Sequence, residues 1–379
     1  MNAARISRRR FVTVCGGAAG AALLTPRPVG SRAEASLPFG AAPDLVQLNS
    51  NESPFGLPPS GLDALSRAGR TGARYPDGEE DQVRNAIARH HGVRPEQVVL
   101  GCGSSDILRM AGAAFLGGPR TLLAAETTFE AVLLYAGVMR APTRKVPMTA
   151  DFRHDLPAMA AACDDKTGLV YVCNPNNPTG TIVSKEEMGA FLAKVPPSAT
   201  VLVDEAYHHF ASDPRQVNAL DFLPQHPNLV VARTFSKIYA MAGLRLGYAV
   251  ATRANAEALG RQASWNNTNA AALPVARALL EDRTFLSERK KLVEETRGWL
   301  CAELDREKRR YIPSQTNFLM IAVGGDVGPV IGAFRDRGIL VGRRFPSMPD
   351  WLRVSIGTRE EMQRFVASLR EIAPARSAA

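Results

Sequence analysis

The segment Asn228-Leu229-Val230-Val231-Ala232-Arg233-Thr234-Phe235-Ser236-Lys237, followed by Arg245 in Ala242-Gly243-Leu244-Arg245-Leu246-Gly247-Tyr248, decides how this chain is read. Asn228 to Arg233 predicts a short buried strand, so Thr234, Ser236 and Lys237 fall on the loop at its carboxyl end. In an open α/β sheet that edge is where ligands sit. A lysine amine attacks an aldehyde only when it is deprotonated, and burial beside other cations lowers its pKa. With Arg245 as such a cation, Lys237 is a candidate Schiff-base lysine, and the two hydroxyls are candidates to hold a phosphate. On these residues alone, a surface lysine in a polar loop is the other reading.

Outward from this segment, residues 80 to 260 alternate short apolar runs with longer amphipathic ones. Strands are predicted at Gln97–Leu100, Thr121–Ala124, Leu169–Cys173, Val201–Asp204, Leu229–Ala232 and Tyr248–Ala251. Helices are predicted at Glu80–His91, Asp106–Phe115, Glu130–Ala136, Lys185–Lys194 and Arg253–Gln262. Strands separated by helical spacers imply an α/β fold, a three-layer sandwich with a mostly parallel sheet between helices. After Leu273 come a long charged helix, Ser287–Arg306, strands near Asn317–Val323 and Arg353–Ile356, and a final helix, Arg359–Ile372. The expected organisation is a large domain over 61–270 and a smaller α+β domain over 271–375, with residues 36–60 packing on the latter.

The first 35 residues read as a targeting segment. Ser7-Arg8-Arg9-Arg10-Phe11, a mild apolar run from Val12 to Leu24 and Ala33-Glu34-Ala35 have the order of a twin-arginine export signal with a cleavage site near Ala35. This predicts handling by the twin-arginine machinery and a periplasmic or other extracytoplasmic location. The apolar run is too short to span a bilayer comfortably. The formal charge of +9 falls to about +4 without this segment, which excludes a nucleic-acid footprint. Cys102, Cys163, Cys173 and Cys301 have no CxxC spacing, so neither a metal site nor a disulfide scaffold is expected.

Several junctions carry candidate chemistry. Gly101-Cys102-Gly103-Ser104-Ser105-Asp106 joins a strand to a helix, where free N–H groups form an anion cup; the same pattern also serves simply to turn the chain. Phe129, beyond the next strand, is either a stacking face for a flat ring or a core side chain. Asn174-Pro175-Asn176-Asn177-Pro178-Thr179-Gly180 is a rigid turn that can present the Asn177 amide in one orientation. Asp204, in Asp204-Glu205-Ala206-Tyr207, ends a buried strand, and a carboxylate there needs a cationic partner. A protonated pyridine nitrogen is one such partner; a helix cap or a lysine salt bridge is another.

These motifs, with LNSNESPFG (Leu48 to Gly56), RYPDG (Arg74 to Gly78) and LRVSIGT (Leu352 to Thr358), resemble the fold-type I pyridoxal-phosphate aminotransferases over nearly all of the chain beyond residue 35. The histidinol-phosphate aminotransferase branch is the most similar. The resemblance implies pyridoxal 5'-phosphate as cofactor, an amino acid and a 2-oxo acid such as 2-oxoglutarate as substrates, and a homodimer with shared active sites. It implies that Lys237 carries the cofactor as a Schiff base and moves the substrate's α-proton. Asp204 would pair with the ring nitrogen, Asn177 and Tyr207 would hold the phenolic oxygen, and Phe129 would stack on the ring. Ser104, Ser105, Thr234, Ser236 and Arg245 would hold the phosphate, with Tyr75 reaching the phosphate in the neighbouring subunit. Arg353 would grip the α-carboxylate, with Asn51 and Arg343 on the substrate side.

One departure bears on the substrate. Histidinol-phosphate enzymes usually place an arginine directly after a Gly-Ile-Ile-Val-like strand; here Gly338-Ile339-Leu340-Val341 is followed by Gly342, Arg343 and Arg344. A one-residue shift on a strand changes the face to which the charge points. Relatives with similar cofactor motifs also decarboxylate or oxidise amino acids, so those reactions stand as alternatives to transamination.

Overall fold

The computed structural model describes residues 45–70 and 72–374. The export signal read at 1–35 lies outside the described residues. Among the described residues, no helix is long and apolar enough to cross a membrane.

The strands are β1 (Val46–Leu48), β2 (Val98–Gly101), β3 (Thr121–Ala125), β4 (Thr143–Val146), β5 (Thr167–Cys173), β6 (Thr200–Asp204), β7 (Leu229–Thr234), β8 (Gly247–Ala251), β9 (Tyr311–Ile312), β10 (Phe318–Ala322), β11 (Ile339–Val341) and β12 (Trp351–Ser355). A seven-stranded sheet has the order β2-β8-β7-β6-β5-β3-β4. β8 runs antiparallel to both its neighbours, β2 and β7. The remaining pairs are parallel. The carboxyl ends of β2, β3, β5, β6 and β7 therefore share one edge of the sheet. Register holds them level: Asp204 lies opposite Cys173 and Ala232, and Gly247 lies opposite both Thr234 and Gly101.

Every residue of β3, β5, β6 and β7 is buried, as parallel strands covered on both faces must be. Alternate side chains enter two cores. Val170, Val172, Val201, Val203 and Val231 meet Val83 and Ile87 of helix Glu79–His91, Met188 and Phe191 of helix Lys185–Leu192, and Leu273 and Leu279 of helix Ala272–Glu281. Leu122, Leu169, Tyr171, Leu202 and Val230 meet helices Ser104–Phe115 and Ala131–Val138 on the other face. The result is the three-layer α/β arrangement expected from the sequence.

Beyond this sheet, β12-β10-β9 form an antiparallel sheet, and β1 pairs in parallel with β11. The final helix covers Arg359–Ile372 as predicted, opened by a capping box between Thr358 and Glu361. Several elements lack a sequence signal. β4 is an edge strand whose Thr143, Arg144 and Lys145 are exposed, so it has no apolar alternation to read. Helix Val327–Asp336 contains Gly328, Pro329 and Gly332, poor helix formers; it is held by the Asp326 cap on Gly328 N–H and by burial of Val327 and Phe334. Helices Pro59–Ala68, Leu156–Ala161 and Ala272–Glu281 are likewise additions to the predicted set.

One buried ion pair ties the edge of the sheet from behind. Glu205 and Arg233 are 0% and 4% exposed. Arg233 Nη2 and Nε donate to Glu205 Oε2 at 2.7 and 2.9 Å, and Ala219 N–H donates to Oε1 at 2.8 Å. Strand alternation sends these side chains to the face opposite Asp204 and Thr234. Removing one partner strands the other charge, so Glu205→Leu is expected to cost roughly 3–5 kcal/mol in urea unfolding. The double variant Glu205→Leu/Arg233→Met is expected to recover most of that loss; purely additive losses would show that the pair is not coupled.

Candidate active site

A cavity of about 340 Å³ opens at the shared carboxyl edge. Lys237 stands three residues beyond the end of β7, half-buried, with Nζ donating to the Ser50 carbonyl at 3.1 Å. Burial, helped by the Arg353 and Arg245 charges, lowers its pKa to about 8, while Glu52 and Asp204 oppose the shift. This amine is far more readily deprotonated than an ordinary lysine.

Asp204 ends β6 at 2% exposure. Its Oδ2 accepts from the Tyr171 hydroxyl at 2.9 Å, and its Oδ1 accepts from Ala206 N–H at 3.1 Å. Burial pushes its pKa up to about 6, against the pull of those two donors. Tyr207 follows on the same turn; its phenol is raised by burial and accepts from Asn51 Nδ2 at 3.0 Å. Asn51 has a left-handed backbone, φ 53°, a conformation that asparagine tolerates better than most residues. Ser355 Oγ accepts from its N–H and donates to its Oδ1, while Asn317 Nδ2 donates to its carbonyl.

The turn after β5 has cis bonds at Asn174–Pro175 and Asn177–Pro178. Asn177 Oδ1 there accepts from Arg353 Nη1 at 2.8 Å. Arg353 rises from β12, is 8% exposed, and donates through Nη2 to the Asn49 carbonyl at 2.8 Å. Its Nε is buried without a hydrogen-bond partner.

Opposite lies the anion cup. Helix Ser104–Phe115 begins after Gly103, whose φ is 81°. A Cβ on Gly103 would lie 2.2 Å from Arg245 Nη2, and one on Gly247 would lie 2.3 Å from Ser104 N. Glycine at 103 leaves room for the Arg245 guanidinium, and glycine at 247 lets β8 pass against the start of the helix. Arg245, itself at φ 58°, donates to the Ala242 carbonyl at 2.8 Å and to Ser236 Oγ at 3.3 Å. Asp106 closes the loop from below, accepting from Cys102 N–H and from Asn267 Nδ2. Thr234, Ser236, Arg245 and the free N–H groups at the helix start thus converge on one end of the cavity, which suits a phosphate.

Every site residue named from the sequence lines this cavity except Tyr75. Tyr75 is 74% exposed and borders a separate surface depression with Arg67, Arg74 and Arg277. Ser50, Glu52, Thr128, Cys173 and Phe345 also line the cavity, beyond the set that the sequence singles out. Thr128 adjoins Phe129 and Glu52 belongs to the LNSNESPFG motif, so neighbourhood is the available signal for both. Phe345 has none, because its position depends on the antiparallel bridge between Phe345 and Met348.

The two arginines after Gly342 part company. Arg343 lines the cavity, pairs with Glu130, and lies 4.3 Å from the centroid of the Phe345 ring. Arg344 instead pairs with Asp326 at 2.8 Å. A Cβ on Gly342 would come within 2.7 Å of the Arg353 carbonyl and 2.9 Å of Arg353 Cβ, so the glycine makes room for Arg353.

A flat, phosphorylated aldehyde fits these groups. The cup would take its phosphate, Lys237 its carbonyl, the buried Asp204 carboxylate a ring nitrogen, and Asn177 and Tyr207 a ring oxygen, with Phe129 lining the same cavity.

Comparison with known proteins agrees with this geometry. Residues 43–369 match the family model described as aminotransferase class I and II. The chain is 37% identical over 332 residues to a histidinol-phosphate aminotransferase of Moorella thermoacetica, covering 87% of this chain and 86% of that protein. It is also 37% identical over 326 residues to an aromatic amino acid aminotransferase of Cutibacterium acnes, covering 86% and 92%. Among solved structures, the histidinol-phosphate aminotransferase of Sinorhizobium meliloti in complex with pyridoxal-5'-phosphate superposes with a TM-score of 0.82 at 27% identity, covering 87% of this chain and 90% of that one. With the match spanning nearly all of the described fold and the site built for that cofactor, the chain belongs to the aminotransferase class I and II family and is a pyridoxal-phosphate-dependent aminotransferase of fold type I.

Proposed function

We propose that this aminotransferase acts on a free α-amino acid with an aromatic or neutral polar side chain, using a 2-oxo acid such as 2-oxoglutarate as amino acceptor. The observation that carries this reading is the disposition of cations in the cavity. Arg245 faces the phosphate cup, Arg353 is the carboxylate gripper, and Arg343 is already paired with Glu130. Gly342 stands where a phosphate-binding arginine would be expected, and a side chain there would meet Arg353. The remaining wall offers the Phe345 and Phe129 rings. Such a pocket favours a flat or neutral side chain over a phosphate ester, which needs charged donors.

In this reading the residues divide the work. Bound pyridoxal phosphate supplies an electron sink for the pair left when the substrate loses its α-proton. Lys237 would hold the cofactor through Nζ, and the same amine would move the proton at the substrate α-carbon. Asp204 holds a proton on the ring nitrogen, while Asn177 and Tyr207 orient the ring through its oxygen. Arg353 binds the α-carboxylate through its planar fork, and Asn51 braces Tyr207 beside it. Phe129 and Phe345 supply the phenyl rings of an otherwise largely polar lining.

Three further proposals extend the reading. Residues 61–270 and 271–375 act as two lobes around the cavity. The exposed position of Tyr75, away from its own cavity, supports a homodimer in which Tyr75 serves the neighbouring site. The segment 1–35 directs export by the twin-arginine route.

Purified protein is expected to be yellow, and Lys237→Ala is expected to lose that absorbance. In cofactor-depleted wild type, colour return on adding pyridoxal phosphate is expected to accelerate as pH rises through about 8, where the Lys237 amine loses its proton. A midpoint near the ordinary lysine value of about 10.4 would remove the activated-lysine assignment.

A panel of amino acids with 2-oxoglutarate tests the substrate. Glutamate should form fastest with aromatic or neutral polar donors, and at least tenfold faster than with histidinol phosphate. Preference for the phosphate ester would overturn the substrate reading, whereas CO2 or peroxide in place of glutamate would overturn transamination for that donor. Export is checked by location: Arg8→Lys with Arg9→Lys should retain the protein in the cytoplasm, and unchanged location would exclude the twin-arginine route.

A further inference from the structure

Tyr171 is a fully buried residue of β5, set among Leu122, Leu202, Val230 and Ala232 in the core beneath the site. A phenylalanine would fill that space equally well, yet the hydroxyl is present and donates to Asp204 Oδ2 at 2.9 Å. Strand register explains the contact. Cys173 pairs with Asp204, and Tyr171, two residues earlier on the same face of β5, pairs with Leu202. Its long side chain spans the rise of two residues to reach the carboxylate. Ala206 N–H approaches the other oxygen at 3.1 Å. Two donors on two oxygens prevent rotation of the carboxylate and leave each oxygen with a free lone pair.

We propose that Tyr171 is a positioning residue, whose hydroxyl acts through Asp204 to set the orientation and protonation of the carboxylate that meets the cofactor's ring nitrogen. This rests on the placement of Asp204 in the proposed function. The titratable groups that act on Asp204 are Tyr171 and Cys173 from β5, Tyr207 from its own segment and Lys237 beyond β7, with Glu205 acting through its charge from the opposite face. Among the described residues, only Tyr171 donates to it from a side chain. The Cys173 thiol is turned to the Pro175 carbonyl at 3.4 Å, Glu205 is engaged by Arg233, the Tyr207 hydroxyl accepts from Asn51, and Lys237 Nζ bonds Ser50. Burial favours the protonated acid, and a protonated Asp204 is a poor partner for a protonated ring nitrogen. The Tyr171 hydroxyl opposes that drift by stabilising the charged form.

The experiment is pyridoxal phosphate binding to the cofactor-depleted full chain, followed by absorbance from about pH 5 to about pH 8.5, a range that spans carboxylate values raised by burial. Tyr171→Phe keeps the ring and removes the donor. Its acid limb of binding is expected to move up by about one pH unit, with binding roughly tenfold weaker on the acid side of the limb and about twofold weaker at neutral pH, and little change in urea midpoint. A 3-fluorotyrosine placed at position 171 by amber suppression is a stronger donor and should move the limb the other way; it also carries the test if Tyr171→Phe folds poorly. Asp204→Asn should lose the limb altogether. If both position-171 variants keep the wild-type limb while Asp204→Asn loses it, Tyr171 is core filling and the inference fails alone. If Asp204→Asn also keeps the limb, the placement of Asp204 fails with it.

Discussion

Burying a carboxylate at the end of a central strand is the constraint around which this molecule is organised. Asp204 stands where β5, β6 and β7 end level, with apolar strands below it and almost no contact with solvent. A charge in that setting is costly unless donors and an opposite charge meet it. Tyr171 and Ala206 supply donors from the protein, and in the proposed function the cofactor's ring nitrogen would be the cation that completes the set. The same sheet edge delivers the other parts, because each loop leaving a parallel strand begins within a few ångströms of the next.

Around that carboxylate, cations are kept separate by function. Arg233 is committed to Glu205 behind the sheet, Arg245 to the cup, and Arg353 to the opposite wall. The last two lie close enough to Lys237 to lower its proton affinity without bonding to it. Glycine permits this crowding at Gly103, Gly247 and Gly342, where a single added carbon would strike an arginine or the helix start. The lowered proton affinity of Lys237 and the shape of the anion cup thus arise from one packing arrangement.

The legible part of the sequence is the part with local causes. Buried parallel strands read as apolar runs, and the cofactor motifs lie at their ends, so Lys237, Asp204, Asn177, Ser104 and Arg245 can be grouped at one sheet edge from the order of residues alone. Helix Arg359–Ile372 is legible for the same reason, since its cap and its amphipathic face are both written locally. β4 and helix Val327–Asp336 are not, because one is a polar edge strand and the other is rich in glycine and proline; each is held by neighbours distant in sequence. Phe345 and Glu130 are silent for a related reason, since neither belongs to a motif and both matter only through what they touch.

The sequence by itself determined the class of chemistry: a strand ending in Thr-Phe-Ser-Lys, another ending in Asp, and a glycine-rich helix start have few uses in combination. Only the tertiary structure decided how the cavity wall around Arg343 is charged. Whether Arg343 or Arg344 faces the cavity depends on β11 seating against β1 and on the bend that follows it. Whether Arg343 is free or paired depends on Glu130, more than two hundred residues away in the chain. The residues at the strand ends follow local patterns, whereas the charge of the opposite wall is set where separate segments meet, and no local pattern encodes that meeting.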